Sequence, residues 1–245
     1  RKLHALPYLD KLGQVRALNW PGKTEDLNSA RKVVQRENVE ASDFANKVRM
    51  SNFGGWIDGP QLEATGRFRT KKVNGKWWLI DPEGYLFFSI GTCMTGWKSE
   101  TSANPERANG NFFSYLPGED EYLHWTGIQK INGQKFVNFP SLNYRRYFGE
   151  NWQDTVRQGI HDRMRSWGLN TLGCWSDRSL QLDRKTPYVL ISSIWWQSSG
   201  HRKFPSPFRE NFQSDIEKNL KRLSWAKNDP YCLGVFIGNE LEWPD

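Results

Sequence analysis

Four short apolar runs, spaced by stretches that read as amphipathic helices, restrict this chain to an α/β fold with a parallel sheet. The runs cover residues 85–91, 169–175, 188–196 and 231–238. Each is rich in β-branched and aromatic residues with little alternation, as expected of a strand buried on both faces. Trp152, Val156, Ile160, Met164 and Trp167 recur at helical spacing before the second run, and Gly168 follows where a helix C-terminus favours glycine. Phe212, Ile216, Leu220 and Leu223 repeat the pattern before the fourth, which Asn228-Asp229-Pro230 separates from its helix. Strands alternating with helices imply parallel βαβ units. No Gly-x-Gly-x-x-Gly or Gly-x-x-x-x-Gly-Lys motif occurs, so a nucleotide-binding doubly wound sheet lacks support. A complete (β/α)8 TIM barrel takes about 250 residues. The 245 residues here hold only four countable barrel strands. The expectation is therefore the first half of a TIM barrel, strands 1–4, preceded by an N-terminal arm and a β-hairpin. Such a half leaves apolar edges on its first and fourth strands, so further sequence is expected beyond this chain.

The arm is read over residues 1–60 and the half barrel over 61–245. Residues 24–36 are helix-prone, with Thr24 or Asp26 able to cap and Leu27, Ala30, Val33 and Val34 on one face. Asn74-Gly75 between two β-prone runs is a strong hairpin signal. Asp81-Pro82-Glu83-Gly84 marks a second turn before the first apolar run. Residues 92–150 show no clear periodicity but many aromatics. They read as a long functional loop lying over the face where substrates bind.

Composition narrows the function. Thirteen Trp, 14 Phe and 8 Tyr exceed what packing alone usually requires, and indole faces suit the C–H faces of sugars. The net charge of +7 is carried by basic residues scattered among acids, without a basic run, zinc-finger spacing or RNP-like motif. That argues against nucleic acid as partner. Cys93, Cys174 and Cys232 form no CxxC pair, and the four His are far apart in the sequence. Buried free thiols and no metal site are expected. No apolar run approaches the ~18 residues of a membrane span. The first residues hold neither an initiator Met nor an apolar signal core, so the chain reads as processed or as a fragment.

The fourth run ends on Asn239-Glu240, a pair ill suited to packing at the end of a buried strand. In (β/α)8 barrels catalytic groups stand at the C-terminal ends of strands. Glu240 is the candidate proton donor, and Asn239 the group that holds a substrate hydroxyl. Trp175 and Trp196 end the second and third runs and either line the cleft or fill the core; Trp97 is open to the same two readings. Trp243 follows the fourth run as a candidate sugar platform. His201, in the loop after the third run, either bonds a sugar hydroxyl or is a plain exposed residue. Ser176 and Asp177 are weaker candidates, and Glu242 reads as a surface residue.

Three stretches carry a family resemblance: DKLGQVRALNWPGK at 10–23, GRFRTKKVNGKWWLIDPEGYLFFSIG at 66–91 and DPYCLGVFIGNELEW at 229–243. They resemble the β-agarases of glycoside hydrolase family 50, within the clan of retaining hydrolases built on (β/α)8 barrels. The resemblance implies cleavage of β-1,4-galactosidic bonds of agarose with retention, Glu240 as acid/base and Asn239 as partner of the sugar 2-hydroxyl. It also implies a nucleophilic Glu at the end of strand seven, for which this chain has no counterpart. It implies a polysaccharide or oligosaccharide partner, no cofactor, and a secreted or periplasmic location. The alternatives are a hydrolase acting on another galactoside, a non-catalytic carbohydrate-binding protein and an inactive fragment.

Overall fold

The computed structural model describes residues 7–97, 112–116, 128–131, 134–192, 208 and 210–239. The chain divides into two compact units, Arg1–Asp43 with Gly96–Arg163 and Phe44–Thr95 with Met164–Asp245. Nine strands are described: β1 Arg69–Val73, β2 Lys76–Ile80, β3 Leu86–Phe87, β4 Gly91–Thr92, β5 Ile128–Ile131, β6 Gln134–Val137, β7 Thr171–Leu172, β8 Tyr188–Ser192 and β9 Cys232–Ile237. The described α-helices are α1 Leu27–Ala45, α2 Phe139–Phe148, α3 Trp152–Ser166, α4 Arg178–Leu182 and α5 Phe212–Leu223.

In the unit of residues 1–43 and 96–163, α1 is capped by Asp26, whose carboxylate accepts from the amides of Asn28 (2.7 Å) and Ser29 (2.9 Å). The helix runs nine residues beyond the expected end at Arg36, and within this unit it buries Ala30 and Ala41 on one stripe. Helix α2 corrects the reading of residues 92–150 as aperiodic. The Asn138 side chain accepts from the Ser141 amide at 3.1 Å and Pro140 occupies the first turn. Arg145 and Arg146 lie in the last turn, where cations complement the helix dipole. Strands β5 and β6 form an antiparallel pair within the same stretch. Leu142, Val156 and Trp152 are buried here, and Phe139 stacks on Phe113 with ring centroids 5.9 Å apart.

The second unit carries two sheets. The β1–β2 hairpin turns at Asn74-Gly75, both with positive φ (48° and 79°), as a two-residue type I′ connection requires. Strand β3 adds to β2 antiparallel, with Leu79 opposite Phe87. The turn between them is held by Asp81, fully buried, whose carboxylate accepts from the Glu83 and Tyr85 amides and from the Ser51 hydroxyl. The other sheet is parallel throughout, in the order β4-β7-β8-β9. Sequential parallel order follows from the strand–helix alternation, since parallel neighbours need a crossover between them.

Two of the four apolar runs become shorter strands than expected, and the third is described only as far as Ser192. Residues 85–91 are not one strand: Leu86 and Phe87 join the antiparallel sheet, and only Gly91 enters the parallel one. Between them the Asn170 side chain takes the Phe88 carbonyl and the Ile90 amide, alongside backbone bonds from the Asn170 and Thr171 amides to the Ile90 carbonyl. At Gly91 the Thr171 carbonyl oxygen would lie 1.7 Å from any added Cβ, so the β4–β7 contact excludes every other residue. The second run pairs only at Thr171 and Leu172, and the third from Tyr188 to Ser192.

The fourth run forms β9 as expected but is not buried on both faces. Val235, Phe236 and Ile237 are 43%, 57% and 63% exposed. Among the described residues β9 pairs only with β8, so its outer half is an apolar sheet edge. Helix α5 buries none of its residues fully: Phe212, Ile216 and Leu223 are half-buried and Leu220 is exposed. Helix α3 ends as read, with Gly168 at φ +75° and the Leu169 amide returning to the Met164 carbonyl at 2.9 Å. Trp167, however, falls past the helix end and is exposed. Of the three thiols, Cys174 is buried, Cys232 partly so, and Cys93 is exposed against expectation, because it sits past the end of β4. No helix among the described residues is long and apolar enough to cross a membrane.

Candidate functional site

The candidate site of the second unit lies at the C-terminal ends of its parallel strands. The segments leaving β4 and β7 are joined by backbone bonds: Gly173 N–H to the Thr92 carbonyl, Met94 N–H to Cys174 and Asp177 N–H to Thr95, each at 2.8 Å. Ser176 closes the set, its hydroxyl donating to the Gly173 carbonyl at 2.7 Å and accepting from the Thr95 amide at 3.2 Å. Asp177 caps α4 through the Ser179 amide (2.9 Å) and hydroxyl (2.8 Å). Both sequence candidates are thus engaged in shaping the loops.

This pairing holds two side chains in an unusual backbone state. Met94 and Trp175 have φ of +56° and +59°, and both remain about half exposed. A bulky residue at positive φ is strained by roughly 1–3 kcal/mol and persists only where its surroundings over-determine it. Here the cross-loop bonds of Met94 N–H, Gly173 N–H and the Cys174 carbonyl do so. Trp175 therefore presents its indole beside the ends of β4 and β7 instead of filling the core. Met94 carries no sequence signal of its state, because nothing local in Thr92-Cys93-Met94-Thr95 marks a left-handed residue.

At the other side of the sheet, Gly238 adopts φ +75° and its amide donates to the Ser192 carbonyl at 3.2 Å, which ends β9. Asn239 follows directly and is exposed. Glu240, Glu242 and Trp243 after it, together with Trp196 and His201, lie outside the described residues. Trp97 lies in the first unit and is 5% exposed. Its ring meets Trp152 edge-on at 5.7 Å, and its carbonyl accepts from the Ser141 hydroxyl.

Electrostatics disfavour cysteine chemistry at this end. Burial, with a smaller contribution from Cys93, pushes the Cys174 thiol above its ordinary value. Burial does the same to Cys232, which opens β9 at the opposite end of the sheet. Protonated thiols are poor nucleophiles and poor metal ligands. Among the described residues, no group of three or more His, Cys, Asp or Glu is arranged to hold a metal ion.

No family model matches the chain. Over 96% of its length it is 30% identical to β-agarase B of Vibrio sp. (strain JT0107), and 25% identical over the same share to β-agarase A of that organism. Among solved structures, the agarase AgWH50C superposes with a TM-score of 0.81 at 25% identity, covering 97% of this chain and 39% of that one. The chain resembles the glycoside hydrolase family 50 agarases. A second structure, PfGH50B, gives a TM-score of 0.77 at 29% identity over 96% of this chain and 38% of its own length. An exo-β-agarase gives 0.74 at 26% identity over 96% and 38%. The resemblance to the family 50 agarases thus runs along nearly the whole chain. The chain in turn spans only 28% and 26% of the two Vibrio agarases.

Proposed function

We propose that this chain is part of a retaining glycoside hydrolase that cleaves β-1,4-galactosidic bonds of agarose or a related galactan. The observation that carries the reading is the 30% identity to β-agarase B across 96% of the chain. It is supported by a parallel sheet in sequential order whose fourth strand runs into Asn239. In this reading the sheet is the first half of a (β/α)8 barrel over residues 61–245, with residues 1–60 as an arm.

Glu240 would protonate the leaving glycosidic oxygen as general acid, then deprotonate the water that releases the product. A retaining pair needs its second carboxylate about 5–5.5 Å away as nucleophile. That group belongs to polypeptide outside these 245 residues, in keeping with relatives several times longer. The negative nucleophile and a partly dry cleft keep the donor protonated near neutral pH. Asn239 would bond the 2-hydroxyl of the sugar being cleaved, a contact that strengthens in the transition state. Trp175, Trp196 and Trp243 would stack on sugar faces, and His201 would bond a hydroxyl. Trp97, packed on Trp152, supports its own unit. No step requires a metal or organic cofactor. A polymeric galactan is too large to enter a cell, which fits a secreted or periplasmic enzyme.

The test is release of reducing sugar from agarose by the full polypeptide. Glu240→Gln is expected to lower kcat at least 1000-fold while agarose binding persists, in line with the general size of acid–base contributions of about 10²–10⁴. Wild-type activity in that variant overturns the assignment.

A further inference from the structure

The β1–β2 hairpin carries a feature that neither the fold nor the proposed active site uses. Trp77 is 73% exposed. It stands directly opposite Lys72 in the hairpin register, on the same face as Thr70 and Leu79. Deeper on that face, Leu79 is opposite Phe87, which is buried against Phe68 at 4.9 Å. The inner end of the face is thus anchored in the core, while its outer end offers a bare indole. Among the described residues Trp77 makes no ring stack, cation–π contact or hydrogen bond.

The charge around it is one-sided. From Arg67 to Ile80 the sequence holds Arg67, Arg69, Lys71, Lys72 and Lys76 and no acid. The two arginines are engaged with backbone and amide oxygens: Arg67 with Lys227 and Asn228, Arg69 with Glu63. Lys71, Lys72 and Lys76 are exposed, and among the described residues none has an ion-pair partner. Lys72 lies about 5 Å from Trp77 between Cβ atoms, as for any directly opposed pair. Lys71 and Lys76 emerge on the other face of the same two strands.

We propose that this hairpin is a polysaccharide-binding site separate from the strand-end residues, and that it takes an anionic galactan segment bearing sulfate esters. The galactan part rests on the agarase reading; the site itself rests on the exposed indole and the unpaired lysines. The axial C4 hydroxyl of galactose leaves an apolar C–H face that lies flat on an indole. Lys72 beside that platform, with Lys71 and Lys76 on the opposite face of the same two strands, gives the hairpin a positive charge that suits sulfate esters, whereas a neutral galactan would leave it unused. A type I′ hairpin is a rigid support, so little ordering of backbone is needed on binding. A second site of this kind would hold an enzyme on a polymer while its active centre acts elsewhere along it.

Native affinity electrophoresis tests this, with the full polypeptide carrying Glu240→Gln so that the gel polymer is not consumed. Gels contain sulfated galactan, neutral agarose or dextran sulfate at matched concentration. Retardation is expected in sulfated galactan, with the apparent Kd raised at least 5-fold by Trp77→Ala. The combined Lys71→Gln, Lys72→Gln and Lys76→Gln variant is expected to bind sulfated galactan no better than neutral agarose. Unchanged retardation in either variant overturns the proposal. Equal retardation in dextran sulfate, equally sensitive to both variants, overturns it too, since that is ion exchange without recognition of galactose. Should Trp77→Ala fail to fold, the lysine variant alone decides. Failure of the agarase reading registers separately, as absence of hydrolysis by the unsubstituted full polypeptide.

Discussion

Asn170 holds Ile90: its side-chain oxygen accepts the Ile90 amide at 2.9 Å. The same carboxamide donates to the carbonyls of Phe88 and Gly54, both at 3.0 Å, and accepts from the Thr171 hydroxyl at 3.1 Å. Two donors and two acceptor positions are all a carboxamide has, and here each is used. This one side chain carries the polypeptide from the antiparallel sheet into the parallel one without leaving buried backbone groups unpaired.

Asn170→Ala is therefore expected to destabilise the protein by about 1–3 kcal/mol, since several part-buried polar groups lose their partner at once. Urea unfolding followed by tryptophan fluorescence measures the shift in midpoint. Asn170→Asp keeps the acceptors but loses both donors, and should also fall well below the parent. A loss under about 0.5 kcal/mol in the alanine variant would refute the bridging role.

Trp175 separates strain from function. Replacing it by glycine relieves the φ of +59°, worth about 1 kcal/mol at a left-handed position. The residue is half exposed, so the packing lost is about 2–3 kcal/mol, partly offset by the strain relieved. Trp175→Gly should lower stability by no more than about 2 kcal/mol, yet weaken binding of agaro-oligosaccharides at least 5-fold by calorimetry on the full polypeptide. A clearly larger loss would show that the indole is a packing residue after all.

Tyr188 makes stability sensitive to alkali. It is fully buried. Burial first, and then the charge of Asp229, holds its hydroxyl above the ordinary value. Below about pH 10 the phenol is protonated in both folded and unfolded chains, so no penalty arises. Above it the unfolded chain releases the proton and the native one does not, so stability falls as pH rises. Burial moves Tyr231 and Tyr147 in the same direction. Unfolding free energy measured from about pH 9 to 11 should fall less steeply for Tyr188→Phe than for the parent, by up to about 1.4 kcal/mol per pH unit. Parallel curves would contradict this.

Asn138 starts α2, and its cap bond to the Ser141 amide is buried. Asn138→Ala should cost about 1 kcal/mol, and Asn138→Asp distinctly less. Hydrogen exchange at the first-turn amides of α2 gives the direct readout: faster exchange confined to that helix supports the cap, and unchanged rates refute it.

Local chemistry that needs no distant partner was legible from residue order. Asn74-Gly75 marked its turn because few other pairs tolerate two positive φ values. Thr24 or Asp26 was in view as the cap of α1, of which Asp26 is the one used, and Gly168 marked the end of α3. The alternation of runs and amphipathic helices marked the parallel sheet, since period and length carry that signal. The agarase resemblance was legible in three stretches, and Asn239 does stand where β9 ends. Helix α2 escaped because its apolar face is short and interrupted by Asn143, Arg145 and Arg146, although its Asn138 cap and Pro140 were in view.

Other features depended on groups far apart in the chain. Residues 85–91 look like one strand from their apolarity, but Asn170, some 80 positions on, divides them between two sheets. Val235, Phe236 and Ile237 form the apolar edge expected of a fourth strand with no fifth beside it, since among the described residues β9 has β8 on one side only. The left-handed state of Trp175 was invisible because it is imposed by hydrogen bonds from the loop after β4. Residue order sets what each segment prefers, and tertiary contacts set which preferences are overruled, because side-chain period and turn chemistry are local whereas hydrogen-bond partners and burial are not.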